Sequence, residues 1–96
     1  MFNVPEVIAR RFLVSGRVQG VGFRAGTVEA AKSHRLVGWV RNVPDGLVEI
    51  HAQGQGARIT DFARWVGIGP RWARVVSVET RDAEVDSGLE SFEIRW

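Results

Sequence analysis

Apolar positions along the chain fall into alternating and helical patterns, separated by glycine and proline. From Ala9 to Ser15 the chain is short and apolar and ends at a glycine. Phe12 and Val14 share one face and Leu13 and Ser15 the other, the two-residue period of a strand. Gly16-Arg17-Val18-Gln19-Gly20-Val21-Gly22 follows as a glycine-punctuated loop. Phe23, Thr27, Ala30, Ala31 and His34 then recur at helical spacing, which predicts a helix from about Phe23 to His34. Gly26 inside it costs about 1 kcal/mol relative to alanine.

Leu36 to Asn42 returns to a two-residue period, with Val37, Trp39 and Arg41 opposed to Gly38, Val40 and Asn42. Pro44-Asp45-Gly46 is turn chemistry, because proline presets φ and glycine accepts a positive φ. Leu47 to Gln53 alternates again, Val48, Ile50 and Ala52 against Glu49, His51 and Gln53, which completes a predicted β-hairpin. Ile59, Phe62, Ala63 and Val66 lie at i, i+3, i+4 and i+7, the buried stripe of an amphipathic helix that Gly67-Ile68-Gly69-Pro70 ends. Val76, Val78 and Thr80 alternate with Ser77 and Glu79 as a fourth strand, and Phe92, Ile94 and Trp96 predict a short fifth.

Strand, helix, strand, strand, helix, strand is the order of the split βαβ unit. The predicted fold is therefore α+β: a ferredoxin-like split βαβ sandwich, an antiparallel sheet with two helices on one face. The helices would bury Phe12, Val14, Val40, Val48, Ile50 and Val76. The opposite face, with Glu49, His51 and Glu79, is expected to stay open. Residues 1–96 are expected to form one domain, since separate cores need at least about 50 residues each.

Composition narrows the chemistry. Hydrophobic residues at 45% and charged residues at 25% are those of a folded globular chain. Cysteine is absent, which excludes disulfides and all thiolate chemistry and fits a reducing compartment. The start, Met1-Phe2-Asn3-Val4-Pro5-Glu6, shows neither a basic leader nor a following apolar run, so the expected location is cytoplasmic, away from membranes. Net charge is only +2, and the basic residues are arginines except for Lys32. No basic block longer than Arg10-Arg11 suggests a nucleic-acid tract.

Gly16 to Arg24 follows a strand, carries three glycines and opens a helix. In such a loop consecutive backbone N–H groups can wrap an anion, and glycine lets the backbone come close to it. Arg24, in the first helical turn, can add a two-pronged charge-assisted bond. No Lys-Ser/Thr pair follows the last glycine, so this is not a nucleotide P-loop. Spacing alone favours a plainer outcome, a tight turn with Arg24 paired to a surface carboxylate.

Two longer motifs add to that picture. Gly16-Arg17-Val18-Gln19-Gly20-Val21-Gly22-Phe23-Arg24 and Gly38-Trp39-Val40-Arg41-Asn42-Val43-Pro44-Asp45-Gly46 resemble, in order and separation, the two signatures of the acylphosphatase family. The Phe62, Trp65, Gly69-Pro70 and Ala73 pattern is also similar, and the likeness runs from Ala9 to Trp96. The resemblance implies hydrolysis of small acyl phosphates to a carboxylate and inorganic phosphate, by water attack without a metal, a cofactor or a covalent intermediate. It implies that the backbone amides of Gln19, Gly20, Val21, Gly22 and Phe23 bind phosphoryl oxygens, that Arg24 binds the same phosphate, and that Asn42 positions the nucleophilic water. The contact between Asn42 and the loop comes from the resemblance, not from the residue pattern. A monomer is the expected state.

The chemistry asks for little more. Carboxylate is a good leaving group, so phosphoryl transfer becomes mostly positioning and electrostatic stabilisation. Asn42 cannot act as a base and can only orient water. His34 and His51 lie on different elements and make an improbable metal pair, and Glu49 and Asp45 lack ligand spacing. Trp39, Trp65, Trp72 and Trp96 read as core or edge packing. Gly26 stands where the family commonly has a bulky residue, which is expected to loosen packing under the loop and affect rate.

Two other roles compete. Domains resembling this one begin larger hydrogenase-maturation proteins that handle carbamoyl phosphate, a role disfavoured by a chain ending at Trp96. RNA-binding ferredoxin-like modules stack bases on sheet aromatics, whereas the third strand here offers Glu49, His51 and Gln53.

Overall fold

The structure, a computed structural model, describes residues 6–96; positions 1–5, most of the stretch in which no leader is read, lie outside the described residues. The elements are β1 (Val7–Arg17), α1 (Phe23–Ser33), β2 (Val37–Val43), β3 (Leu47–Gln55), α2 (Gly56–Ile68), β4 (Arg74–Ala83) and β5 (Phe92–Arg95). All the predicted elements form, with ends shifted by a few residues. The sheet runs β4-β1-β3-β2-β5. Its first four strands pair antiparallel, as in the predicted split βαβ sandwich, but β5 pairs in parallel with β2, so the sheet is mixed.

Strand directions decide where the chemistry can gather. Both β1 and β2 run antiparallel to the β3 between them, so they point the same way, and β5 follows β2. The loop after β1, Asn42 near the end of β2, and the residue after β5 therefore lie at one end of the sheet. A split βαβ unit delivers this because each crossover skips a strand.

Both helices pack on one face. Phe12, Val14, Val40, Val48 and Ile50 from the sheet meet Phe23, Ala31, Ile59, Phe62 and Val66 from the helices in one contiguous core. Phe62 is central, with Phe12 edge-on at 5.9 Å, Trp65 stacked at 6.3 Å and Phe92 tilted at 6.2 Å between ring centroids. Burying each such ring stabilises the fold by about 1.5–3 kcal/mol.

Two packing expectations are corrected. Val76 is not in the core; it is 74% exposed, while Val75 and Val78 pack against the core instead. The cause is a β-bulge: Ser15 pairs with Ser77 but Gly16 pairs with Val75, which leaves Val76 as the extra residue turned outward. Gly16 makes the bulge possible, since its φ is +122° and a Cβ there would sit 2.1 Å from the Arg74 carbonyl oxygen.

The second correction concerns the sheet face away from the helices. His51 and Gln53 are only 2% and 4% exposed. Because β4 and β5 lie on opposite edges, residues 84–91 must cross the sheet, and they cover this face. The Gln53 amide donates to the Asp86 carbonyl at 2.8 Å and accepts from the Asp86 N–H at 3.0 Å. His51 Nε2 bonds Gln53 Oε1 at 2.9 Å, and an Arg11 guanidinium N–H donates to His51 Nδ1 at 3.2 Å. This chain of bonds fits the tautomer with the proton on Nε2.

A Cβ at Gly26 would lie 3.1 Å from the Trp65 ring and 3.5 Å from the Pro70 Cβ, so a larger residue there would press on the indole.

Candidate active site

Gly20 and Gly22 have φ of 73° and 79°, and alternate with residues of negative φ. Alternating hands turn successive N–H groups to one side, the geometry of an anion-binding nest. Among the described residues, chain neighbours aside, none lies within 4 Å of a Cβ built on either glycine, so conformation, not protein crowding, demands glycine here. Gly22 is also the N-cap of α1, with no side-chain cap bond and no acidic residue in the first turn. The first amides of α1 thus face the loop without a side-chain acceptor, at the positive end of the helix dipole.

Arg24 projects from the first turn of α1. Among the described residues no carboxylate pairs with it, so the plainer outcome of a surface ion pair does not occur. Its guanidinium lies 4.4 Å from the ring centroid of Trp96. A cavity of about 150 Å³ opens between Gly20, Gly22 and Arg24 on one side and Ile94 and Trp96 on the other.

Asn42 lies two strands from β1, with β3 between them, and is not among the residues lining that cavity. The Gln19 side chain spans the gap. Its amide donates to the carbonyls of Val43 at 3.0 Å and Leu47 at 2.8 Å, the last residue pair before the β2–β3 turn. Asn42 directly precedes Val43, and its Oδ1 is buried with no hydrogen-bond partner. An unpaired buried acceptor costs about 1–3 kcal/mol. A buried acceptor left without a partner in a folded protein calls for an explanation, and this one lies at the same end of the sheet as the glycine loop.

The Gln19 tether was not read from the sequence, where Gln19 counted only for its backbone. The one available signal was a lone amide side chain in an otherwise apolar and glycine-rich loop. Gln19→Met keeps the side-chain length but removes both donated bonds. It should cost roughly 1 kcal/mol and lower the melting temperature by about 4–8 °C. A thermal melt identical to wild type would show that the tether holds nothing.

Other candidates disperse. His34 caps the end of α1, with Nδ1 2.8 Å from the Ala30 carbonyl oxygen, and His51 is buried in β3. Among the described residues no three His, Cys, Asp or Glu side chains gather as a metal site. Glu49 is bonded to Arg41 at 2.7 Å, and Asp45 sits in the hairpin turn with φ 69°. Trp39 is buried and Trp65 lines the core margin, but Trp72 and Trp96 are exposed and do not pack as expected. Larger clefts of about 450 and 480 Å³ lie on the other sheet face, lined by both guanidiniums and carboxylates and without the loop amides. No helix among the described residues is long and apolar enough to cross a membrane.

Comparison with known proteins is consistent over most of the chain. A family model described as Acylphosphatase matches residues 10–94. An acylphosphatase of Chlorobaculum tepidum is 44% identical over 82 residues, covering 85% of this chain and 89% of that protein. The crystal structure of acylphosphatase from Bacillus subtilis superposes with a TM-score of 0.88 at 35% identity, over 93% of this chain and 99% of that one. Full-length HypF, crystallised in a phosphate- and nucleotide-bound form, superposes with a TM-score of 0.88 at 32% identity, over 98% of this chain but 12% of its own.

Proposed function

The chain belongs to the acylphosphatase family and is an enzyme of that class, and from this premise we propose that it hydrolyses small acyl phosphates by direct attack of water on phosphorus. The amides of Gln19 to Phe23 and the Arg24 fork hold the non-bridging oxygens, where charge is stabilised through the transition state. Asn42 Oδ1 accepts a hydrogen bond from the attacking water. As the water oxygen bonds to phosphorus, the bond from phosphorus to the acyl oxygen breaks. Its electron pair leaves on the carboxylate, and the water proton passes to a phosphate oxygen. Neither a general acid nor a covalent enzyme intermediate enters.

What carries this assignment is the uncapped amino end of α1, reached through left-handed glycines and flanked by an arginine that no carboxylate among the described residues neutralises. Support for metal independence comes from the absence of a ligand cluster among the described residues. A monomeric, cytoplasmic enzyme is the fitting role. The Chlorobaculum tepidum relative is matched over most of its length, and the sequence lacks cysteine. The likeness to HypF supports a second role, a phosphate-handling module of a larger protein. No nucleic-acid partner is proposed: Trp39, the tryptophan of the central strands, is 7% exposed and already has Arg11, Arg41 and Arg95 around its ring.

Purified protein should hydrolyse benzoyl phosphate at the same rate before and after dialysis against EDTA. It should turn over simple alkyl phosphate esters far more slowly, because nothing protonates a poor leaving oxygen. Activity lost to EDTA and restored by one divalent metal would overturn the metal-free mechanism. Comparable rates on a phosphoserine peptide would reveal a general acid.

A further inference from the structure

Trp96 is 93% exposed, an unusual setting for an indole, yet its ring is engaged by the Arg24 guanidinium at 4.4 Å. A guanidinium stacked on a ring uses its face, while its N–H donors lie in its plane. A carboxylate partner would instead consume those donors and cancel the charge before phosphate arrived. An aromatic partner orients the fork and leaves every donor free. Among the described residues Arg24 makes no side-chain hydrogen bond or ion pair, and the cation–π contact it makes is with this indole.

Trp96 also has a place in the cavity. With Ile94 it forms the apolar wall facing the loop glycines and Arg24. The placement follows from the parallel pairing of β5 with β2: Ile94 pairs with Val40 and Arg95 with Arg41, so the next residue on each strand, Trp96 and Asn42, lies at the same end of the sheet.

We propose that Trp96 is a positioning and specificity residue: its indole sets the Arg24 fork and, with Ile94, forms the surface on which the substrate's acyl group rests, favouring aromatic acyl phosphates over acetyl phosphate. This rests on the acylphosphatase mechanism proposed above. The ring serves two substrate elements, and each has its own readout. Arg24 acts on phosphate whatever the acyl group, whereas the wall acts only on an acyl group large enough to touch it.

The experiment compares wild type, Trp96→Ala and Trp96→Phe on benzoyl phosphate and acetyl phosphate, with inorganic phosphate as inhibitor. Trp96→Ala should lower kcat/KM roughly threefold on both substrates and weaken phosphate inhibition by a similar factor, as the cation–π contact is lost. On benzoyl phosphate it should lose roughly a further fivefold, from the missing ring contact. Trp96→Phe should recover most of the benzoyl preference. Equal losses on both substrates would overturn the acyl wall, and unchanged phosphate inhibition would overturn the positioning of Arg24. The exposed ring leaves the core untouched, so the melting curve should match wild type. Wild-type turnover tests the activity itself, while the ratio between substrates in the variants tests only Trp96, so the two failures are distinguishable.

Discussion

Replacing Arg24 with alanine is expected to depress turnover of benzoyl phosphate about a thousandfold, the scale on which a single arginine acts in phosphoryl transfer. The loss should extend to the ground state. In the proposed mechanism the guanidinium meets the same oxygens in substrate, transition state and product, so inhibition by inorganic phosphate should weaken in the same variant. Arg24→Lys should rescue little. A lysine keeps the charge but cannot offer a planar fork, and it loses the stacking geometry on Trp96. Arg24 sits at the first turn of α1 outside the core cluster, so circular dichroism and thermal unfolding should stay as in wild type. An Arg24→Ala protein with wild-type phosphate inhibition would remove Arg24 from the phosphate site.

Asn42→Ala is expected to cut kcat about a hundredfold, the typical loss when one positioned polar group is removed from an active site. Here phosphate inhibition should remain nearly intact, because the proposed role of Asn42 is toward the water and not the phosphate. A loss confined to kcat marks an interaction made chiefly in the transition state. Stability offers a second, independent readout. Asn42 Oδ1 is buried without a partner, so its removal deletes an unsatisfied acceptor. The variant should melt no lower than wild type, and the free energy released should be at most a few kcal/mol. A function-impaired but equally stable protein is what a group held ready for a ligand predicts. If Asn42→Ala kept wild-type kcat, or lost phosphate inhibition while folded, the assignment of Asn42 to the water would be wrong.

Much of the candidate site was legible because its parts are local. Left-handed turns at Gly20 and Gly22 and the helix opening at Phe23 follow from residues that adjoin in the chain. Arg24 and Asn42 were named through the family resemblance, and the family model matching residues 10–94 bears that resemblance out. The Gln19 tether and the Trp96 stack were not legible. Each joins residues more than twenty positions apart, and neither a lone glutamine nor a tryptophan near Arg95 carries a spacing signal.

The sequence by itself determined the elements and the helix-side core, since alternation at Phe12 and Val14 or at Val48 and Ile50 is enforced by the strand's own two-residue period. It misplaced Val76, because a bulge opposite Gly16 breaks that period without a local mark. It also left the second sheet face open, where the structure covers His51 and Gln53. That covering exists only because β4 and β5 occupy opposite edges, forcing residues 84–91 across the sheet. The same topology made the site. Strand directions put the ends of β1, β2 and β5 at one end of the sheet, and with them the loop amides, Asn42 and Trp96. Backbone conformation is set by near neighbours through sterics and is readable in order along the chain. Which strand ends share a space is set by how the sheet closes over its core, a property of the whole chain that no segment carries alone.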